Sequence, residues 1–244
     1  MVKRKTAMNI RQAHRYLGIF IGIQFIMWTV SGLYFSWTDL DEIHGDHFKK
    51  EQPVQASYSE LKSPSEVYPI DEITTLGIRE ISGEPFYYIN EKELVNARTG
   101  EVIDKISEQD ALSIAGRFMK DDLEVSGVSL ITETGDHHEF RGKLLPAYVI
   151  SYKTDENLKA YIGATNAEFT TVRHRDWRWF DFLWMTHTMD YEGRDDFNNI
   201  LLRSFSVLGL ITVLSGFLLW YISSPTVRKI VQPKKKKKKK KNRK

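Results

Sequence analysis

Two runs without a charged residue stand near the ends of the 244-residue chain, Tyr16 to Thr38 (YLGIFIGIQFIMWTVSGLYFSWT) and Ser204 to Val227 (SFSVLGLITVLSGFLLWYISSPTV). They are 23 and 24 residues long, and a helix needs roughly 20 predominantly apolar residues to cross a hydrocarbon core of about 30 Å. Hydrocarbon offers no hydrogen-bond partner, so a single spanning segment must satisfy its own backbone as a helix. The expected fold class is therefore a membrane protein in which two transmembrane α-helices flank an α+β domain outside the cytoplasm.

Charge gives that arrangement a direction. Met1 to Arg15 carries five basic residues and no acid, and Arg228 to Lys244 carries twelve and no acid, so the tails hold 17 of the 35 Lys and Arg. All 32 acids fall between Asp39 and Arg203, which with the remaining 18 basic residues is near −14. Lys and Arg beside a span stay on the cytoplasmic side, which puts both termini inside and the acidic middle outside. The expected order is a basic tail over 1–15, a span over 16–38, the outer domain over 39–175, an aromatic interfacial helix and connector over 176–203, a span over 204–227 and a polybasic tail over 228–244. The first run ends in GLYFSWTDLDE with no small-x-small cleavage pattern, so it reads as a retained anchor and not as a signal peptide. The lysine run directly behind a span reads as a contact for anionic lipid headgroups, and not for nucleic acid.

The chain contains no cysteine. Disulfides, cysteine-held iron–sulfur clusters, thiolate zinc and the C-x-x-C-H attachment of c-type haem are thereby excluded. The sequence also holds no Walker phosphate loop, no dinucleotide fingerprint, no H-E-x-x-H and no G-x-S-x-G, so no catalytic residue is assigned.

Within the middle segment, Tyr58 to Gly83 has mixed character with one helix expected. PFYYIN (85–90) and ELVNA (93–97) read as strands and ARTGE as the following turn. Ser107 to Lys120 reads as a helix, with Ser107 and Asp110 as a capping box and Ala111, Leu112, Ile114, Ala115 and Phe118 on its apolar face. Strands are expected over Val125–Thr132, Ala147–Lys153 and Leu158–Ala164, followed by EFTTVRH. Leu94–Val102 overlays Tyr161–Phe169 at an offset of 67 residues, a weak internal repeat of a strand, a turn and a returning strand. The aromatic stretch DWRWFDFLWMTHTMDY (176–191) suits a helix at the water–lipid boundary and equally one whose rings pack the outer domain, and Asp195 or Asp196 would cap the second span.

Steps of three and four along the first span give a stripe of His14, Gly18, Gly22, Phe25, Thr29, Gly32 and Ser36. In the second, Gly209, Thr212, Gly216 and Ser223 form a similar stripe, with Ser206 and Ser215 nearby. Small stripes let helices approach closely in lipid. A histidine above glycines at i+4 and i+8 also presents an imidazole over a cleared groove, which a porphyrin would need, and haem iron is commonly held by histidine nitrogen.

The segments HRYLGIFIGI, SGLYFSW, NARTGEV, RGKLLPAYVISY, LWMTHTMDYEGRDDFNN and ITVLSGFLLW together resemble the PepSY-associated transmembrane family, inner-membrane proteins with an external PepSY-type domain. The resemblance implies a PepSY-like fold for the outer domain and, from haem-containing members that reduce ferric siderophores, a redox role. Carried over, the family's histidines fall on His14 and His187, with His44 and His47 as further candidates for a b-type haem. Longer members have more spans. His14 and the outer histidines lie about 30 Å apart across the hydrocarbon, so they cannot share one iron, and a haem would need a homodimer or a partner membrane protein.

Two other readings follow from the same residues. One is a non-catalytic, membrane-anchored module that binds through its PepSY-like domain. The other is a histidine-based metal-binding protein using His44, His47, His137 and His138, a set without a usual zinc spacing. His174, between Arg173 and Arg175, reads as a surface residue.

Overall fold

A computed structural model describes residues 4–52, 57–68 and 72–225. The polybasic tail, and with it the expected headgroup contact, lies outside the described residues. The chain divides into two compact units, one built from residues before Tyr34 and after Trp184, the other Tyr34–Trp184.

The first unit holds α1 (Arg4–Trp37), whose last turn belongs to the second unit, and a later helix, Ile200–Ser223. Both are long and apolar enough to cross a membrane. The first is 34 residues long because its helix continues back through the basic stretch. Their outward faces carry large exposed apolar side chains, among them Ile19, Ile23 and Ile26 on one and Leu210, Phe217 and Trp220 on the other, as expected of surfaces that meet lipid.

The second unit begins with two short pieces, α2 (Leu40–Ile43) and a 3-10 turn (Asp46–Phe48). Then comes α3 (Pro64–Val67), a single turn and the one helix among the described residues of Tyr58–Gly83. The rest of that stretch supplies β1 (Leu76–Ile81), which with β2 (Glu84–Ile89), β3 (Glu93–Asn96) and β4 (Val102–Ile103) forms an antiparallel meander in sequence order. α4 (Glu108–Phe118) follows, with Ser107 and Asp110 forming the expected capping box. A second meander, β5 (Val125–Ile131), β6 (Ala147–Tyr152), β7 (Lys159–Gly163) and β8 (Phe169–Arg173), leads into α5 (Arg175–Thr188). The long closing helix is α6.

The faint repeat is structural. Asn96 donates its N–H to Glu101 O, Ala97 to Pro85 O and Gly100 to Asn96 O. In the second half Gly163 donates to Glu168 O, Ala164 to Pro146 O and Ala167 to Gly163 O. Each donor is displaced by 67 residues from its counterpart, and so is the residue that precedes each helix, Ser107 and His174. The repeated unit is thus four strands and a helix. Gly100 and Ala167 occupy the same left-handed turn position, with φ of +84° and +52°.

Alternation along the strands sorts side chains to two faces of each sheet. Phe86, Leu94, Tyr148, Ile150 and Ile162 join the apolar face of α4 (Ala111, Ile114, Ala115) in one core shared by both sheets. The opposite face of the first sheet packs Tyr87, Ile89 and Val95 against Leu61, Val67 and Tyr68. That of the second packs Val149 and Tyr161 against Phe140, whose ring stacks on Tyr161 at 4.6 Å.

A charged network ties the β5–β6 connection to α5. Glu139 accepts from Tyr161 Oη at 2.6 Å and from Arg178 Nε at 2.6 Å, and Lys159 Nζ lies at 3.4 Å. Burial pushes the Glu139 carboxyl up, but the bonds from Arg178 and Tyr161 and the nearby lysine outweigh it and hold the carboxyl below its ordinary range. A depressed carboxyl contributes stability that is present above the unfolded-state value and disappears as pH falls through the folded-state value. Glu139→Gln is therefore expected to cost about 2 kcal/mol at pH 7. In thermal melts of the detergent-solubilised chain, the gap from wild type should close as the pH is lowered towards 3.

Candidate functional site

α6 runs antiparallel to α1, as shown by Arg11 Nη2 on Ser223 Oγ (3.2 Å), His14 on Ser215 (2.7 Å) and Phe20 against Phe205. The side of α1 turned inward is His14, Leu17, Ile21, Gln24, Trp28 and Ser31, a spacing of 3.5 residues, the period of a supercoiled helix pair. The expected stripe used a longer step and drifts off this face, so Thr29 and Ser36 are exposed. On α6 the expected Gly209, Thr212 and Gly216 do face inward. A Cβ on Gly209 would come within 3.0 Å of Phe25, and one on Gly216 within 3.3 Å of His14. Ser206 is exposed.

At each end of this helix pair a serine fixes a histidine. Ser215 Oγ lies 2.7 Å from His14 Nδ1 and 2.7 Å from Thr212 O. The carbonyl cannot donate, so the single hydroxyl proton goes to it, and His14 Nδ1–H must donate to the serine. The imidazole lone pair is thereby placed on Nε2. Ser31 repeats the device, giving its proton to Met27 O at 2.7 Å and accepting from His187 Nδ1 at 2.7 Å. Both histidines hold the tautomer in which Nε2 can ligate a metal and Nδ1–H has a supporting acceptor. His14 and Ser31 are 17 residues apart on one helix, about 25 Å at 1.5 Å per residue, so the two imidazoles sit at different levels.

His187 owes its position to the end of α5. A helix leaves its last carbonyls without intrahelical partners, and here Gln24 Nε2 donates to Thr186 O (3.1 Å), Trp28 Nε1 to His187 O (2.8 Å) and Asn199 Nδ2 to Thr188 O (3.0 Å). Buried Gln24 is thus accounted for in an apolar helix. Asn199 also accepts from Leu202 N–H at 2.8 Å and is the cap of α6, so the cap lies beyond the expected Asp195 and Asp196. Between the helices, the Asp190 carboxylate accepts N–H bonds from Asp196, Gly193 and Glu192. These bonds, that from Asp196 foremost, hold it below the usual carboxylate range.

The other histidines belong to the second unit. His44 is exposed and ends α2. His138 Nδ1 accepts from Phe140 N–H at 3.0 Å and His137 is exposed. Among the described residues the structure does not gather His44, His47, His137 and His138. It groups His47 with Glu156 and His174, whose ligand atoms lie within 4.8 Å of one another. His174 is fully buried, which corrects the surface reading. Its charged neighbours in sequence suggested exposure, but the alternation of β8 turns it inward beside Val172. Burial holds its imidazole below the ordinary histidine range. Chain-wide spacing could not have joined residues so far apart in sequence, although the 67-residue offset does pair His174 with the helix-capping Ser107.

The PepSY-associated TM region family matches residues 2–223. No curated protein and no solved structure matches the chain.

Asn199→Ala removes an acceptor from α6 and a donor from α5. It should lower the stability of the detergent-solubilised protein by about 1–2 kcal/mol, whereas Asn198→Ala should shift the melt within error.

Proposed function

Because the chain belongs to the PepSY-associated TM region family, a family of membrane proteins, we propose that it is an inner-membrane electron-transfer component that uses b-type haem. In this reading both termini are cytoplasmic, and the domain between the helices faces the periplasm, where a ferric, siderophore-type or other oxidised substrate is reduced. The observation that carries the reading is a pair of serine–histidine contacts: Ser215 and Ser31 each donate to a backbone carbonyl and accept from Nδ1–H of His14 and His187, which leaves the lone pair of each ring on Nε2.

The residues fit such a group. Beside His14, Gly18 and Gly22 have nothing within 4 Å of where a Cβ would stand, so a flat ring or a second copy's helix can approach the backbone there. One chain supplies one imidazole at each level. A second copy would supply the other and make a four-helix bundle with His14 twice at one level and His187 twice at the other, leaving His44 and His47 outside the haem set. Bound haem would supply reversible one-electron chemistry. The chain's own residues hold the imidazole rings and fix their tautomers. Reducing equivalents would come from a partner protein, since the sequence has no nucleotide-binding signature.

The test is the reduced-minus-oxidised absorption spectrum of the detergent-purified protein, expressed with adequate haem. Soret and α bands are expected, each reduced in His14→Ala and in His187→Ala, and weakened with a shifted potential in Ser215→Ala. A spectrum with no haem bands would sink the redox reading and leave a membrane-anchored binding module.

A further inference from the structure

We propose that His47, Glu156 and His174 form a binding site in the outer domain for a divalent transition-metal ion of the zinc class, separate from the helix-pair histidines.

Three elements far apart in sequence build it. His47 comes from the 3-10 turn, Glu156 from the β6–β7 connection and His174 from the junction of β8 with α5. His174 is the fixed member. Its Nε2 lies 3.1 Å from Ile43 O, and a carbonyl can only accept, so Nε2 carries the proton and Nδ1 the lone pair. That Nδ1 is buried and has no hydrogen-bond partner. An imidazole N–H given to a backbone carbonyl, with the other nitrogen bare, is the usual support of a metal-ligating histidine.

What Nδ1 faces is electron-rich. A Glu156 carboxylate oxygen lies 3.5 Å away, beyond ordinary hydrogen-bond range, so a lone pair and an anion confront each other with no proton between them. A cation relieves this arrangement. The spacing also suits one, because donors at about 2.1 Å from a tetrahedral ion are about 3.4 Å apart. His47 meets the His174 ring edge-on, with centroids 5.4 Å apart, and all three ligand atoms lie within 4.8 Å of one another. Two imidazoles and one carboxylate suit zinc and its neighbours better than calcium or magnesium, which prefer all-oxygen shells.

The approach of the chain to His174 is specified by Gly45. Its φ is +74°, and a Cβ there would come within 3.0 Å of Val172 Cγ1 and 3.6 Å of His174 Cδ2. Only glycine lets the turn that carries His47 pass this close. The site is also accessible, since His47 is exposed and Glu156 lines an open groove with Arg175, Arg178, Trp179 and Phe182. An ion held by three protein ligands keeps a fourth position for water or an external ligand, the arrangement of an open zinc site. It would also clip the segment that follows α1 to the start of α5.

The test uses the full-length protein in detergent, purified without a histidine tag and stripped with a chelator, then titrated with Co²⁺ and back-titrated with Zn²⁺. One Co²⁺ per chain is expected, with d–d absorption that Zn²⁺ displaces. His47→Gln, at an exposed position, and Glu156→Gln should each weaken binding roughly tenfold or more while leaving the melting temperature of the metal-free protein unchanged. His137→Gln and His14→Ala should leave the titration as in wild type, which separates this site from the haem reading. Absence of saturable one-to-one binding, or binding undiminished in both His47→Gln and Glu156→Gln, would overturn the proposal.

Discussion

A polar group placed in or beside hydrocarbon must find its partner inside the protein, and the helical unit is organised around that requirement. α5 ends with three carbonyls that no residue of its own helix can reach. Gln24, Trp28 and Asn199 answer them one by one, and in doing so join α1, the end of α5 and the start of α6. The direct contacts of the two long helices, Arg11 with Ser223, His14 with Ser215 and Phe20 with Phe205, are separate from these bonds. With them, His187 is delivered to Ser31 and the second helix starts from a defined cap.

The second unit solves a different problem, covering both faces of two small sheets. The shared α4 core covers one face of each, and the segments 61–68 and 140–145 cover the others. Duplication makes this economical in sequence, because one pattern of turn and alternation serves twice. The repeat was visible at Leu94–Val102 and Tyr161–Phe169 since a tight turn restricts residue choice, whereas the paired strands tolerate many apolar residues and had diverged.

One chemical device recurs at three histidines. A hydrogen bond to one ring nitrogen decides where the lone pair lies: Ser215 for His14, Ser31 for His187 and Ile43 O for His174. None of these partners is close in sequence to its histidine, the separations running from 131 to 201 residues. The histidines themselves were conspicuous beforehand. Which of them had an oriented lone pair was not, and His174, hidden between two arginines, was misread for that reason.

Periodicity, length and charge are local quantities, and they determined the two apolar helices, the strands from Pro85 onward and the capped helix at Ser107. Spacing alone did not fix which face of α1 turns inward, because steps of 3.5 and 3.67 residues separate only over several turns and packing chooses between them. Tertiary structure decided the cap at Asn199, the role of Gln24 and the meeting of His47, Glu156 and His174. The reason is physical: a hydrogen bond or a ligand set depends on atoms a few ångströms apart, and only folding brings together residues separated by more than a hundred positions.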